Sequence, residues 1–366
     1  RPDSSFLANI GSDSAVILSK EYADQLLQLN TMQEIDMLPV GTGPFKFKWY
    51  SSSSFIRYEA HENYWRGKSK IKQLVFNITP RDTGRLTKLL AGECDIIAYP
   101  IAHEKIKQHD NLILESVTAF NVGYLGFNTA KPPFNNPLVR KALSYAINKQ
   151  AILDAVYTGQ AEIANGIIPN SSWAYDETIS SQEYSINKAQ ELLSEAGYSD
   201  GFSMDLWAMP VQRSYNPDAV TMAKLIQADL QKIGIEVDIV SGYEWSTFLR
   251  KITDGEHQSV LLGWSADHPD PDNFFSPMLS CSSAITGSNR TFWCNEKFDR
   301  LIKRALQTNS INKRKVLYSK ALALINEEVP LIPIAHSKRF QARSNNINGK
   351  LLRAIGGIDF NGVTKN

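Results

Sequence analysis

The chain has 366 residues, 43% of them hydrophobic and 21% charged, with 39 Lys and Arg against 38 Asp and Glu for a net charge of +1. That length allows two domains with large cores, and the balanced charge offers no footprint for nucleic acid or a membrane surface. No apolar stretch approaches the length of a transmembrane helix. Arg1 opens the chain without an initiator Met or a signal peptide. A secreted protein loses its signal, so this does not argue for the cytoplasm.

Residues 1–120 read as α+β. Gly41-Thr42-Gly43-Pro44 is turn chemistry, and Phe45, Phe47 and Trp49 alternate with Lys46 and Lys48 at the period of a half-buried strand. Ile56 to Ala60 is its predicted hairpin partner across a Ser-rich turn at 51–54; Leu74 to Ile78 is a further strand, Thr83 to Leu90 a helix, and Asp95 to Ala98 a short strand. Asn136-Pro137 caps a helix predicted to run through Ile152 and Val156 to Gly159, with Val139, Leu143, Ala146 and Ile147 on its apolar face. Residues 187–196 form another helix.

A β-α-β-α-β rhythm follows. Strands are predicted at Met204–Met209, around Ile235, Val237 and Ile239, and at Val260–Leu262; helices are predicted at Pro217–Ile233 and Trp245–Ile252. This alternation argues for an α/β fold with a largely parallel sheet. Two helices (295–307 and 311–327) and a strand at Leu331–Ala335 complete the order.

The stretch Ser259–Cys281 carries the chemistry. Its strand breaks at Gly263, and a loop follows with Asp267, Asp270 and Asp272, two prolines (Pro269, Pro271) and exposed-looking aromatics (Trp264, Phe274, Phe275). It reads as a carboxylate delivered from a strand end onto a stiff loop, where α/β sheets hold ligands; the plain alternative is an acidic surface turn. Arg213 follows another predicted strand end, where a guanidinium can grip a carboxylate with two hydrogen bonds; its alternative is an exposed loop arginine. No catalytic signature is complete. Gly41-Thr42-Gly43 is followed by Pro44, Gly67-Lys68-Ser69 lacks the upstream glycine of a phosphate loop, and no Gly-x-Ser-x-Gly occurs. His61-Glu62 lacks the second histidine of a zinc helix, and the acids at 267–272 lack the glycine and distal glutamate of a calcium loop. Neither an enzyme, a metal site nor a cofactor is expected; a hydrolase using Asp267 and Asp270 is the poorest of the readings. Cys281 and Cys294 bracket a short polar loop that a disulfide can close, as oxidising compartments allow; the alternative is three reduced thiols, Cys94 included.

Several motifs stand in one order: Pro-Val-Gly-Thr-Gly-Pro-Phe at 39–45, Gly-Tyr-Leu-Gly-Phe-Asn-Thr at 123–129, Trp-Ala-Met-Pro-Val-Gln-Arg-Ser-Tyr-Asn at 207–216, the 259–281 stretch, and Trp-Cys-Asn-Glu-Lys-Phe-Asp at 293–299. Together they resemble the extracytoplasmic substrate-binding proteins of peptide ABC transporters, the dipeptide/oligopeptide class, from about Phe6 to the C-terminus. Ser-Trp-Ala-Tyr-Asp at 172–176 and the run 270–281 point within that class to the SapA-type members, associated with resistance to antimicrobial peptides.

The resemblance implies the two-lobed type II periplasmic-binding-protein fold, with mixed and parallel sheets and a ligand cleft between the lobes. Lobe I is 1–119 with 338–366, incomplete at its N-terminus, and lobe II is 120–337, with hinges near Asn121-Val122 and Ala335-His336. It implies a periplasmic, monomeric receptor that captures peptides and delivers them to an inner-membrane ABC permease. Arg213 is implied to hold the peptide carboxylate and Asp267 the free amine, with Tyr215 and Trp245 as aromatic walls. Trp207, Trp264, Tyr243 and His268 fill out the expected ligand surroundings. For Trp207 and Trp264 the alternative is a core aromatic, and for His268 a solvated loop histidine is preferred. Gly242, in Val240-Ser241-Gly242-Tyr243, departs from the dipeptide-binding pattern. The partner of Cys94 is implied to lie in a preceding N-terminal portion. Haem is the alternative ligand in the same fold, with His268 as its candidate axial ligand.

Overall fold

The computed structural model describes residues 3–12 and 15–366. The chain divides into two compact units, a larger one of residues 1–12 and 118–338 and a smaller one of 13–117 and 339–366.

The smaller unit holds a three-stranded antiparallel sheet, Phe45–Ser51, Phe55–Ala60 and Gln73–Asn77. Phe47 sits opposite Tyr58, and Phe47, Tyr58 and Phe76 pack edge-on along it at 5.9 Å. Leu86 and Leu89, from the helix Asp82–Leu90, bury against Ile97, Ile106 and Ala342. Half-buried Cys94 packs on this cluster as a free thiol, its pKa raised by burial.

The larger unit is built on strands β1 (Asn121–Phe127), β2 (Ala161–Ile163), β3 (Phe202–Ala208), β4 (Ile235–Val240), β5 (Ser259–Ser265) and β6 (Leu331–Ser344). Past residue 338, β6 continues into the smaller unit. The order across the sheet is β6-β1-β5-β3-β4, with β2 also on β6. Strands β5, β3 and β4 are mutually parallel, whereas β1 runs antiparallel to both β5 and β6. The sheet is therefore mixed, because β1 inserts between the parallel set and the last strand. All seven residues of β1 are buried, as a central strand covered on both faces requires.

Helices α1 (Pro137–Ala146), α2 (Ile186–Glu195), α3 (Ala219–Gln231), α4 (Trp245–Thr253), α5 (Asp272–Leu279), α6 (Cys281–Thr286), α7 (Glu296–Leu306) and α8 (Ile311–Glu328) complete it. Most start on a side-chain cap: Asn136, Ser185, Asp218, Glu244, Ser280, Asn295 and Ser310 each accept a backbone N–H of the first turn.

Four expectations change. The helix after Asn136 stops at Ala146, because Asn148 caps a new turn, Lys149–Ile152, which widens into a π-helical turn at Leu153–Tyr157. Helix α3 starts at Ala219, behind an Asp218 cap, and not at Pro217. Strand β5 does not break at Gly263 but runs on to Ser265, since Gly263 pairs with Gly123 of β1. Strand β6 extends to Ser344, well past Ala335.

Cys281 and Cys294 form the disulfide, with Cα atoms 4.5 Å apart. The loop it closes is ordered by buried Asn289, whose Nδ2 donates to Ser280 O (3.2 Å) and Trp293 O (2.8 Å). Removing a cross-link over such a loop frees the unfolded chain and costs about 3 kcal/mol. The double variant Cys281→Ser/Cys294→Ser is therefore expected to lose about that much stability in urea denaturation, and a loss below about 1 kcal/mol would show that Asn289 alone keeps the loop.

Candidate functional site

All eight candidate ligand contacts issue from one edge of the larger unit's sheet. Trp207 is the penultimate residue of β3, and Arg213 and Tyr215 follow that strand. Tyr243 and Trp245 follow β4, Trp264 lies in β5, and Asp267 and His268 come after it. Because β4, β3 and β5 are adjacent and parallel, these positions gather outside the carboxyl ends of three neighbouring strands, where open α/β sheets bind ligands.

The Arg213 turn is seated by two glycines. Arg213 and Asn216 exchange backbone hydrogen bonds of 3.1 and 3.0 Å. A Cβ on Gly263 would lie 2.1 Å from Tyr215 Cδ2, and one on Gly123 would lie 2.2 Å from Tyr215 O and 2.8 Å from the Tyr157 hydroxyl. Gly123 and Gly263 are register partners, so together they leave a notch in the sheet that Tyr215 fills. The Tyr157 hydroxyl, from the π-helical turn, donates to Tyr215 O at 2.7 Å. Burial raises the pKa of the Tyr215 hydroxyl, and the nearby Arg213 charge offsets part of this.

Arg213 itself is exposed, its guanidinium carbon 5.7 Å from the Trp245 ring centroid. Trp245 stacks on buried Phe248 at 5.8 Å. Trp207 is a core residue, 6% exposed, stacked on Tyr243 at 5.3 Å and near Phe248 at 6.3 Å. Tyr243 is thus the outer layer of a stack that Trp207 anchors inside. Gly242, at φ +87°, makes the left-handed step just before it.

At the β5 end, Ala266 N–H still donates to Phe120 O (2.8 Å). Asp267 is exposed, and its backbone N–H donates to Asn273 Oδ1 (3.2 Å), which also accepts the indole N–H of half-buried Trp264 (3.0 Å). The rest of the loop turns inward. His268 is buried, not solvated, and its Nδ1 accepts the Asp270 N–H (3.3 Å). Asp270 is buried too, and its Oδ1 accepts from Arg314 Nη2 (2.8 Å) and from the Asp272 N–H (3.0 Å). Arg314 also donates to the Tyr318 hydroxyl (3.0 Å) under the Trp173 ring. Phe274 and Phe275, read as exposed, are fully buried on α5. The Asp267–Asp270 pair of the hydrolase reading is therefore split, one carboxylate outside and the other inside an ion pair. Among the described residues no cluster of His, Cys, Asp or Glu could hold a metal ion. Gly123 and Asn273 stand within motifs of the sequence but carry no sign there of their roles, and Tyr157 stands in none; the pairing of Gly123 with Gly263 appears only in the register.

Two opposing titrations follow from this burial. Burial raises the Asp272 carboxyl to about 6, with Asp270 and Asp3 adding to the rise and Ser276 and Arg314 opposing it. Burial lowers His257 and His336 to about 4. For the histidines the unfolded state binds protons first, so their contribution is lost as pH falls from about 6.5 to 4. For Asp272 the folded state binds the proton first, so its contribution grows as pH falls through 6 toward 4, by at most about 3 kcal/mol. Asp272→Asn is therefore expected to melt higher than wild type at pH 7 and to lose stability more steeply between pH 6.5 and 4. Parallel Tm–pH curves would remove Asp272 from this account.

The comparisons agree with this architecture. Residues 2–285 match the family described as bacterial extracellular solute-binding proteins, family 5 middle. The chain is 43% identical over 366 residues to the dipeptide-binding protein of Escherichia coli K12, covering 100% of this chain and 68% of that protein. It is 41% identical to heme-binding protein A of Haemophilus influenzae, over all of this chain and 66% of that one. It is 39% identical to the probable ABC transporter periplasmic-binding protein SapA of E. coli, over 99% and 66%. Overall identity thus does not single out the SapA-type members. The crystal structure of a dipeptide-binding protein from Pseudoalteromonas sp. SM9913 in complex with Met-Leu superposes with a TM-score of 0.81 at 46% identity, covering 100% of this chain and 72% of that one. No described helix is long and apolar enough to cross a membrane. With its mixed α/β architecture and these relatives, the chain belongs to the bacterial extracellular solute-binding proteins of family 5.

Proposed function

We propose that the protein is a periplasmic receptor that captures short peptides by their charged termini and delivers them to an inner-membrane ABC permease. One observation carries the reading. Exposed Arg213 and exposed Asp267 leave the carboxyl ends of the adjacent parallel strands β3 and β5, so a cation and an anion stand on one edge of one sheet. A zwitterion with its charges at opposite ends suits that pair. The name of the dipeptide-binding relative supports a peptide ligand, and the resemblance to SapA-type members keeps antimicrobial peptides within the proposal. The Cys281–Cys294 bridge fits an oxidising compartment.

A second ligand class, haem, is supported by the identity to heme-binding protein A. The candidate axial ligand weakens it, since His268 is buried with Nδ1 engaged.

Calorimetry on the full-length protein tests the choice, with Met-Leu, its N-acetyl form and its C-terminal amide as ligands. We expect micromolar or tighter binding of Met-Leu, and at least a tenfold loss, about 1.4 kcal/mol, in both Arg213→Ala and Asp267→Asn. Amidation should matter less in the Arg213 variant, and acetylation less in the Asp267 variant. Absence of heat with any short peptide, or wild-type affinity in both variants, overturns the peptide reading. A Soret change on adding hemin that Met-Leu does not compete away would move it to haem.

A further inference from the structure

The loop after β5 must point one carboxylate outward while burying almost everything around it. Of its residues, Asp267 and Pro269 are exposed, while His268, Asp270 and Asn273 are buried. The exposed carboxylate belongs to a residue whose side chain makes no described hydrogen bond of its own. Its direction has to come from the backbone, and the backbone N–H of Asp267 has one described partner, Asn273 Oδ1.

That oxygen is shared. A carbonyl oxygen carries two lone pairs, and here one takes the Asp267 N–H at 3.2 Å and the other the Trp264 indole N–H at 3.0 Å. Asn273 is 8% exposed, and it sits in the first turn of α5 beside fully buried Phe274 and Phe275, which fix that turn in the core. Its N–H donates to Asp270 O (3.1 Å), and Asp270 is held by Arg314. The amide oxygen is therefore mounted on the core and reaches back across the loop to the end of β5.

We propose that Asn273 is the positioning residue for the amine-binding end of the site: it sets the direction of the Asp267 carboxylate and the plane of the Trp264 ring together. This rests on the peptide reading above. The residue type follows from the chemistry. An apolar side chain would leave both donors unpaired, whereas an amide or carboxylate oxygen can accept from both. Coupling of the two side chains through one atom means that losing the oxygen releases both.

The test separates this role from simple stability by reading discrimination instead of affinity alone. For Met-Leu and N-acetyl-Met-Leu, the ratio of Kd values measures recognition of the free amine. In wild type the ratio should be well above one, and Asp267→Asn should collapse it; if it does not, the peptide reading fails at the amine end, whatever Asn273 does. Given that collapse, Asn273→Ala should cut the ratio about tenfold. Asn273→Asp keeps the acceptor and should restore most of the ratio. The Trp264 indole proton resonance, read by NMR, should shift upfield in Asn273→Ala and stay near its wild-type position in Asn273→Asp. An unchanged ratio in folded Asn273→Ala overturns the inference. So does an Asn273→Asp variant as impaired as Asn273→Ala with the indole proton still bonded. Should Asn273→Ala fail to fold, Asn273→Asp decides alone: retention of the ratio and the indole shift supports the inference, and loss of the ratio with the bond intact overturns it.

Discussion

The facing glycines Gly123 and Gly263 are the constraint from which the candidate site follows. A glycine inside a strand costs about 0.5–1 kcal/mol relative to alanine, and two of them side by side would weaken any sheet. What offsets that cost is the ring they admit. Full burial of a side chain of Tyr215's size contributes about 1.5–3 kcal/mol; Tyr215 is only half-buried and gains part of that, and the Tyr157 bond to Tyr215 O adds about 1 kcal/mol more. The two sides are of similar size, so the notch is nearly free in stability while it fixes the turn that presents Arg213. A methyl group at either position would close it, which explains why the motif spacing around Gly123 and Gly263 and the one around Arg213 belong to one structural unit though far apart in sequence.

The opposite end is held differently. Beneath Asp267 lie Asp270, Asp272, Arg314 and Tyr318, one cation for two carboxylates, with Asp3 adding a further negative field. Buried ion pairs are poor sources of net stability, because desolvation consumes most of the attraction. Burial first, and the neighbouring Asp270 charge after it, hold the Asp272 carboxyl above its ordinary range. What the cluster supplies is direction: Arg314 pulls Asp270 inward, Asp272 caps back onto it, and the chain between β5 and α5 can leave only Asp267 outside. Pro269 and Pro271 restrict the backbone on either side of Asp270 and limit the alternatives further.

Much of the element order was legible because periodicity and caps reported it directly, as in α1 behind Asn136 and Pro137. The failures share a cause. Asp, Pro and Asn are read from sequence as loop formers, yet around 264–281 they build a buried turn and a helix, with Phe274 and Phe275 inside. Burial of Asp270 depends on Arg314, 44 residues away, and no local pattern carries that partner. Gly263 reads as a strand end for the same reason: only its register partner shows that the strand continues. Ile147 likewise kept the apolar rhythm of α1 going across the break that Asn148 imposes. For the candidate site, the residue types and their strand-end placement came from motif resemblance. The structure adds where each lies, with Trp207 in the core, His268 buried, and Arg213, Tyr215, Trp245 and Asp267 along one sheet edge.

The exposure of Arg213 and Asp267 bears on how such a site could bind. At 4 Å an ion pair is worth about 1 kcal/mol in water and about 4 kcal/mol at the effective dielectric of a protein surface. Two exposed charges therefore gain little from a peptide that leaves them wet. The aromatic layer changes that balance. Tyr243 on Trp207, and Trp245 on Phe248 with Arg213 over its face, form flat apolar surfaces already anchored in the core, so covering them displaces water without reordering the protein. A ligand that brings only charges, such as a free amino acid, covers too little of this surface to dry the pairs. One that brings side chains as well strengthens both termini by the water it removes. On the proposed reading, preference for peptides over single amino acids then comes from the stacks beside the charges and not from the charges themselves.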